Sequence, residues 1–463
     1  MTDTAKCISP VDGSVYAERP VASADEIERC FCTARAAQTD WAALSINERA
    51  TFCSAMVDAM LAMEAGIVPE LAWQMGRPVR FGAIELSGFE ERARHMIAIA
   101  GSSLENIALE PKPGFERYIA RVPLGVVFTI APWNYPYLTA VNSIVPALMA
   151  GNVVVLKHAR NTLLVAERFS QAFAAAGLPE GVFQHIVASH GQTAYIISGR
   201  LADMVCFTGS VPGGAAIEDA AAGRFIAVGL ELGGKDPAYV RADADLDFAV
   251  ENLVDGAFFN SGQSCCGIER IYVGEDLFEP FVAGFADAVR TYVLGNPLDE
   301  ATTLGPLVKP EAADFVRGQI AAAVRDGATA HIDPASFAME ATGSAYLAPQ
   351  VLTNVTHQMA VMRDESFGPV VGIMKVANDA EAVTLMNDNA FGLTASVWTA
   401  DRDAAIRIGD QIETGTWFMN RCDYLDPALA WTGVKDSGRG CTLSKLGYDA
   451  LTRPKSYHLR PGN

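Results

Sequence analysis

From about residue 120 onward, short apolar runs alternate with stretches of helical periodicity, and this pattern constrains the fold more than any other feature of the chain. The run at 126–130 (VVFTI) precedes a helix predicted over 138–150, and the run at 152–156 (NVVVL) precedes one over 161–176. Further runs at 182–187, 204–208 and 225–232 continue the series. Strands that are apolar at every position are buried on both faces, and such strands separated by helices build a parallel sheet from βαβ units. The expectation is a doubly wound α/β domain, which binds ligands beyond the carboxyl ends of its strands.

After Gly233-Gly234-Lys235-Asp236-Pro237 the alternation restarts. Helices are predicted over 245–259, 277–293 and 310–326, with strands around 271–273 and 396–399. This reads as a second α/β domain ending near Gly440. The first hundred residues read as helical, over 24–43 and 47–75. The segments 106–121 and 452–463 alternate and hold prolines. Too short for a domain, they are expected to pair as a hairpin and strand that extend a sheet, into a neighbouring subunit. The division is therefore 1–105 with 122–233 as a dinucleotide-binding domain, 234–440 as a catalytic domain, and 106–121 with 441–463 as an oligomerisation extension.

Composition narrows the function. With 463 residues, half of them hydrophobic and 19% charged, the chain can bury a large core, which excludes wholesale disorder. The net charge of −19 opposes phosphate backbones and anionic lipid, so neither nucleic acid nor a membrane surface is expected as a partner. The start lacks the basic and apolar regions of a secretory signal, and the best apolar run, 143–156, is broken by Pro146, Gly151 and Asn152. A soluble, cytoplasmic protein is expected. Nine cysteines are too sparse for a disulfide framework, and the seven histidines fall in no metal-binding spacing, so no metal site is expected.

Three motifs carry chemistry. In Asn260-Ser261-Gly262-Gln263-Ser264-Cys265-Cys266, a glycine-containing turn exposes a cysteine to backbone amides, which favours thiolate. In Leu230-Glu231-Leu232-Gly233-Gly234-Lys235, a glutamate at a strand's carboxyl end faces the ligand crevice. In Phe207-Thr208-Gly209-Ser210-Val211-Pro212-Gly213-Gly214, glycines let backbone approach a diphosphate at a helix amino end. Taken singly these are a packing cysteine, a solvated carboxylate and a turn.

In type, order and spacing together the motifs resemble the aldehyde dehydrogenase superfamily, from about residue 126 to 440 and weakly through both ends. Pro132-Trp133-Asn134-Tyr135-Pro136 resembles the family's P-W-N-[FY]-P, Gly209 to Gly214 its G-S-x-x-x-G, and Glu231 to Lys235 its E-L-G-G-K. Gly262 to Cys265 is similar to G-Q-x-C, and Glu365 to Val370 to E-x-F-G-P-V. Asn420 and Lys435-Asp436-Ser437-Gly438 resemble two further blocks. The resemblance implies the aldehyde dehydrogenase-like fold, with two doubly wound parallel-sheet α/β domains and a small β oligomerisation extension. It implies an NAD(P)-dependent, non-acylating oxidation of an aldehyde to the acid, in a homodimer or homotetramer.

The resemblance assigns the nucleophile to Cys265, the oxyanion donors to the Asn134 amide and the Cys265 backbone N–H, and the base for thioester hydrolysis to Glu231. It places the dinucleotide against Ile130, Ala131, Pro132, Trp133, Thr208, Gly209, Ser210, Leu232 and Gly233. Lys157 and Arg160 go to the adenosine ribose, and Glu365 and Phe367 to the nicotinamide side.

The departures matter. Where the family continues K-P-[SA]-E, this chain has Lys157-His158-Ala159-Arg160, so a cation stands where a glutamate would repel a 2′-phosphate. NADP acceptance is expected, with His158 adding charge below its pKa; NAD or NADP stays open. Where many members read R-E-L-G, this chain has Cys441-Thr442-Leu443-Ser444, so the role of that glutamate has no counterpart. Coenzyme A acylation, and an inactive scaffold, are the alternatives; the presence of Asn134, Glu231 and Cys265 disfavours both. The aromatics Trp133, Tyr135, Tyr137, Trp417, Tyr424 and Trp431 line a tunnel or pack in the core, and Arg421 and Arg439 are candidates to attract a carboxylated semialdehyde.

Overall fold

The computed structural model describes residues 3–461; Met1, Thr2 and the last two residues of the expected tail strand lie outside the described residues. Five parallel strands, Val126–Ala131, Val153–His158, Phe183–His185, Met204–Thr208 and Ala227–Glu231, form the first sheet. Numbered by chain order, their spatial order is 3-2-1-4-5. The order therefore reverses between Val126–Ala131 and Met204–Thr208, and a crevice opens beyond the carboxyl ends at such a reversal. A short strand, Gly438–Arg439, closes the outer edge antiparallel to Ala227–Glu231.

The second sheet has six parallel strands: Asp236–Val240, Ile268–Gly274, Gln350–Thr353, Val370–Val376, Thr394–Trp398 and Thr416–Met419. Each sheet has its own apolar core. The core of the first takes in the N-terminal helices through Ile27, Phe31, Trp41, Met56 and Phe89, and the second centres on Leu253, Phe258, Phe281, Phe285 and Val351. Fully apolar strands flanked by amphipathic helices explain both layers.

The segment expected as one helix over 47–75 is two, Ile46–Leu61 and Glu64–Met75, bent by 69° at the break. Pro69 sits inside the new helix, in its second turn, where it gives up the amide that would bond the Ala65 carbonyl. The helix Ala24–Ala43 forms over the expected residues, opened by a Ser23–Glu26 capping box. The tail pairs as expected: Thr452–Leu459 runs antiparallel to Glu116–Pro123 along eight residues, with Ile107–Ala108 on the far side. An N-terminal hairpin, Thr4–Ile8 with Val15–Pro20, was not foreseen. Among the described residues, no single helix is long and apolar enough to cross a membrane.

Candidate active site

The strand Val126–Ala131 delivers Pro132-Trp133-Asn134-Tyr135 to the crevice, and the helix Pro136–Met149 carries the chain away with proline in its first turn. That helix has no side-chain cap of its own. The buried carboxylate of Glu85, on the helix Gly82–Ser103, accepts from the Tyr137 and Leu138 amides at 2.9 and 3.0 Å. Negative charge at a helix amino end is favourable, and Glu85 is also paired with the buried guanidinium of Arg77. Arg77 in turn donates to the Asn134 carbonyl at 2.7 Å and to Asn260 Oδ1 at 3.3 Å. Sequence reasoning missed Arg77 and Glu85, because a loop arginine and a helix glutamate are ordinarily solvated.

Arg77 thus ties Asn134 to the turn that carries Cys265. Asn260, Ser261 and Gly262 stand consecutively in the left-handed region, at φ 53°, 56° and 71°. Two non-glycine residues there are strained and persist only where surroundings over-determine them. Asn260 Nδ2 donates to the carbonyls of Asn134 and Gln263, Ser261 Oγ to the Gly305 carbonyl, and Gln263 Oε1 accepts from Val308 N. A Cβ on Gly262 would collide with the Gly368 carbonyl. The Asn134 Nδ2 donates to Gln263 O at 3.1 Å, which uses one of its two hydrogens and leaves the other uncommitted.

Cys265 is half-buried beside Gly234, whose backbone approaches the Cys265 carbonyl so closely that a Cβ would overlap it. The neighbouring Cys266 is buried, and its thiol donates to Asp423 Oδ1 at 2.9 Å. The Cys265 thiol, burial and the Asp423 carboxylate all push the Cys266 thiol upward, keeping it protonated. Burial pushes the thiols of Cys7, Cys30, Cys53 and Cys206 up to about 12.

Glu231 ends its strand in register with Thr208, and the Thr208 hydroxyl donates to Glu231 Oε2 at 2.9 Å. The Thr442 hydroxyl donates to Glu231 Oε1, so the position with no counterpart for the family glutamate holds a donor to the Glu231 carboxylate. Burial raises the Glu231 carboxyl, against the two hydroxyls and Arg92, which hold it down. The carboxylate looks onto a cavity of about 390 Å³ lined also by Asn142, Ser143, Phe207 and Cys441. The Lys435-to-Gly438 block covers this strand: the Ser437 carbonyl accepts from Leu232 N at 3.0 Å, and its hydroxyl donates to Gly233 O at 2.7 Å.

Ile130, Ala131, Pro132, Trp133, Lys157, Arg160, Thr208, Gly209 and Ser210 line one groove of about 770 Å³ at the carboxyl edge of the first sheet. Trp133 continues into a recess of about 260 Å³ shared with Gln263, Glu365 and Phe367. Two expected cofactor residues line neither space. Leu232 is buried against Gly214, and Gly233 lies beneath Glu365, whose carboxylate a Cβ at that position would strike. The glycines 209 and 213 also have a reason the sequence did not reveal, because the Phe207 ring fills the space their side chains would need.

The Glu365 carboxylate accepts from Gly234 N at 3.0 Å, and burial together with Glu269 lifts it to about 7. Lys235, expected only as a motif residue, is buried in an ion pair with Glu269 and donates to Ser366 Oγ at 3.0 Å. Glu269 accepts from the Ser366 and Phe367 amides at 2.8 and 2.9 Å, which fixes the Glu365 segment.

Lys157 and Arg160 sit at the far end of the groove, with Arg160 exposed. His158 does not supply the charge expected of it. Its buried ring bonds Pro136 O and Thr162 Oγ1, and burial lowers its pKa to about 4, so it is neutral near pH 7. Among the aromatics, Trp133 lines the groove, whereas Tyr137 and Trp431 are core and Trp417 donates to the Ala405 carbonyl. Arg421 is exposed and stacks on Tyr424 at 3.5 Å, and Arg439 pairs with Glu218 at 2.8 Å.

The chain matches the aldehyde dehydrogenase family over residues 1–457. It is 33% identical over 448 residues to the succinate semialdehyde dehydrogenase [NAD(P)+] Sad of Escherichia coli, covering 95% of this chain and 94% of that protein. It is 32% identical to betaine aldehyde dehydrogenase 1 of Rhizobium meliloti, covering 98% of this chain and 93% of that protein. The solved structure of Gox0499, at 32% identity, superposes with a TM-score of 0.94 over 99% of this chain and all of its own. The chain belongs to the aldehyde dehydrogenase family, and it is an NAD(P)-dependent enzyme that oxidises an aldehyde to the carboxylic acid.

Proposed function

We propose that Cys265, Asn134 and Glu231 carry this oxidation. The observation that supports the assignment most is the single hydrogen-bonded assembly of Arg77, Asn134, Asn260 and Gln263, which holds the Asn134 amide against the turn bearing Cys265. The Cys265 thiolate adds to the aldehyde carbon to give a thiohemiacetal. Its oxyanion is met by the free Asn134 N–H and the Cys265 backbone amide, each such donor being worth about 3 kcal/mol. A dinucleotide held in the groove would supply the hydride acceptor, and loss of hydride from the adduct would leave a thioester on Cys265. Glu231 then takes a proton from water as the water attacks the thioester and the thiolate departs. The presence of Glu231 as a base supports hydrolysis over transfer to coenzyme A.

The groove fits a dinucleotide in size and in charge order. The amino end of the helix Val211–Ala221 suits the diphosphate, Lys157 and Arg160 the adenosine ribose, and Glu365 the nicotinamide ribose hydroxyls. Arg160 favours acceptance of NADP. The eight-residue strand Thr452–Leu459 stands at the edge of its sheet, largely exposed, which supports pairing across a homodimer or homotetramer interface. A cytoplasmic location agrees with nine free cysteines.

The test is NAD(P)H formation from an aldehyde, with and without coenzyme A, by the native chain and by Cys265→Ala. Turnover without coenzyme A that vanishes in the variant while dinucleotide still binds supports the reading. Turnover retained in the variant within about tenfold, or about 1.4 kcal/mol of barrier, overturns it.

A further inference from the structure

Arg92 lies on the helix Gly82–Ser103 facing the helix Pro136–Met149, and it is only 8% exposed. Its Nη1 donates to the Leu138 carbonyl at 2.8 Å and to Asn142 Oδ1 at 3.4 Å. Among the described residues no carboxylate pairs with it, and its Nε and Nη2 meet no acceptor. The nearby carboxylate of Glu85 is already committed to Arg77 and two helix amides.

Other buried arginines of this fold are satisfied. Arg49 donates to three carbonyls, and Arg270 to three carbonyls and the Tyr272 hydroxyl. Arg92 keeps free donors, and a second free donor stands beside it. Asn142, 2% exposed, turns Oδ1 toward Arg92 and leaves Nδ2 buried with no partner. Asn142 also lines the cavity onto which Glu231 looks.

A buried amide donor without a partner is costly unless an acceptor completes it, and the unused donors of the guanidinium beside it favour an anionic one. Through the Asn142 side of that cavity the pair stands on the Glu231 side of the site. A carboxylate offers acceptors in the planar geometry that a guanidinium matches. We infer that Arg92 and Asn142 form an anion subsite in the substrate pocket, and that the aldehyde this enzyme oxidises carries a carboxylate at its far end. The inference rests on the assignment of Cys265 and Glu231 above. It moves the cationic recognition from Arg421, which is exposed and stacked on Tyr424, and from Arg439, which is paired with Glu218, to a helix face that the motifs do not mark.

The experiment compares kcat/KM for 4-oxobutanoate, 5-oxopentanoate and 6-oxohexanoate with the alkanals of the same lengths, using the full chain and its better dinucleotide. The best oxoacid is expected to exceed its alkanal by at least about tenfold, the scale of one charge-assisted hydrogen bond. Arg92→Met should lower that ratio by about ten- to hundredfold, and Arg92→Lys by less. Glutarate should compete with an alkanal on the native enzyme, which needs no variant to fold. A native ratio at or below one, a ratio unchanged by Arg92→Met, or no competition by glutarate overturns the subsite. Loss of all aldehyde oxidation by the native enzyme, or turnover by Cys265→Ala, would instead overturn the assignment it rests on.

Discussion

Replacing Thr442 by valine isolates one of the two hydroxyls that hold Glu231. Valine keeps the shape and leaves no cavity, so the change removes a donor from Glu231 Oε1 and little else. Burial pushes this carboxyl upward, and the Thr442 and Thr208 hydroxyls, in that order, pull it back. A hydrogen bond to an ionised group is worth about 1.5–3 kcal/mol, and only the ionised form loses it. Losing the Thr442 donor should therefore raise the carboxyl further. Only the ionised carboxylate takes a proton from water. The acidic limb of the pH–kcat profile, measured where deacylation limits, should move with it to higher pH. Thr442→Ser should move it back. A limb that stays in place in a folded variant would refute the reasoning, as would a uniform drop at every pH.

Three further outcomes follow from the geometry. Arg160→Glu should lower kcat/KM for NADP relative to NAD by about tenfold, the modest figure reflecting solvent around this exposed side chain; an unchanged ratio would place Arg160 away from the ribose. His158 is buried with its pKa lowered from 6.5 to about 4, so the unfolded chain binds more protons in that window. Stability contributed by the neutral ring is complete above pH 6.5 and is lost as pH falls toward 4, by up to about 3 kcal/mol. Urea unfolding should show that slope, and His158→Gln should flatten it; an equal slope in both would contradict the assignment. Glu365, lifted to about 7, accepts from ribose hydroxyls best when ionised, so the dinucleotide Kd should fall as pH rises through 7. Glu365→Gln should give a pH-independent Kd, and a persisting limb would assign it to another group.

Strands that are apolar throughout were legible residue by residue, as Met204–Thr208 shows. Asp236–Val240 was not, because it opens on an aspartate and a proline. Asp236 is tolerated inside because it accepts from the backbone and hydroxyl of Thr394, some 158 residues away, a contact no local pattern encodes. The same division runs through the site. Asn134 and Cys265 sit in turns, and Glu231 at a strand end running into one, with residue types the backbone itself demands, so they stand out in the chain. Glu85 and Arg92 lie in a helix and Arg77 in the loop before it, places where charge normally means solvent, and only tertiary packing makes them buried. Thr442 was visible as a departure, and its role became clear only when its hydroxyl was found on Glu231.

The central claim is a covalent thioester on Cys265 released by water that Glu231 activates. Rapid mixing of Glu231→Gln with saturating aldehyde and dinucleotide tests it most directly. Glutamine keeps an oxygen to accept from Thr208 or Thr442 but cannot take a proton, so adduct formation and hydride loss should proceed while hydrolysis slows by about a hundredfold or more. The account predicts a burst of NAD(P)H equal to the number of enzyme sites, then slow turnover. A variant that binds dinucleotide and yet gives no burst would contradict it, because Glu231 would then be needed before the thioester forms.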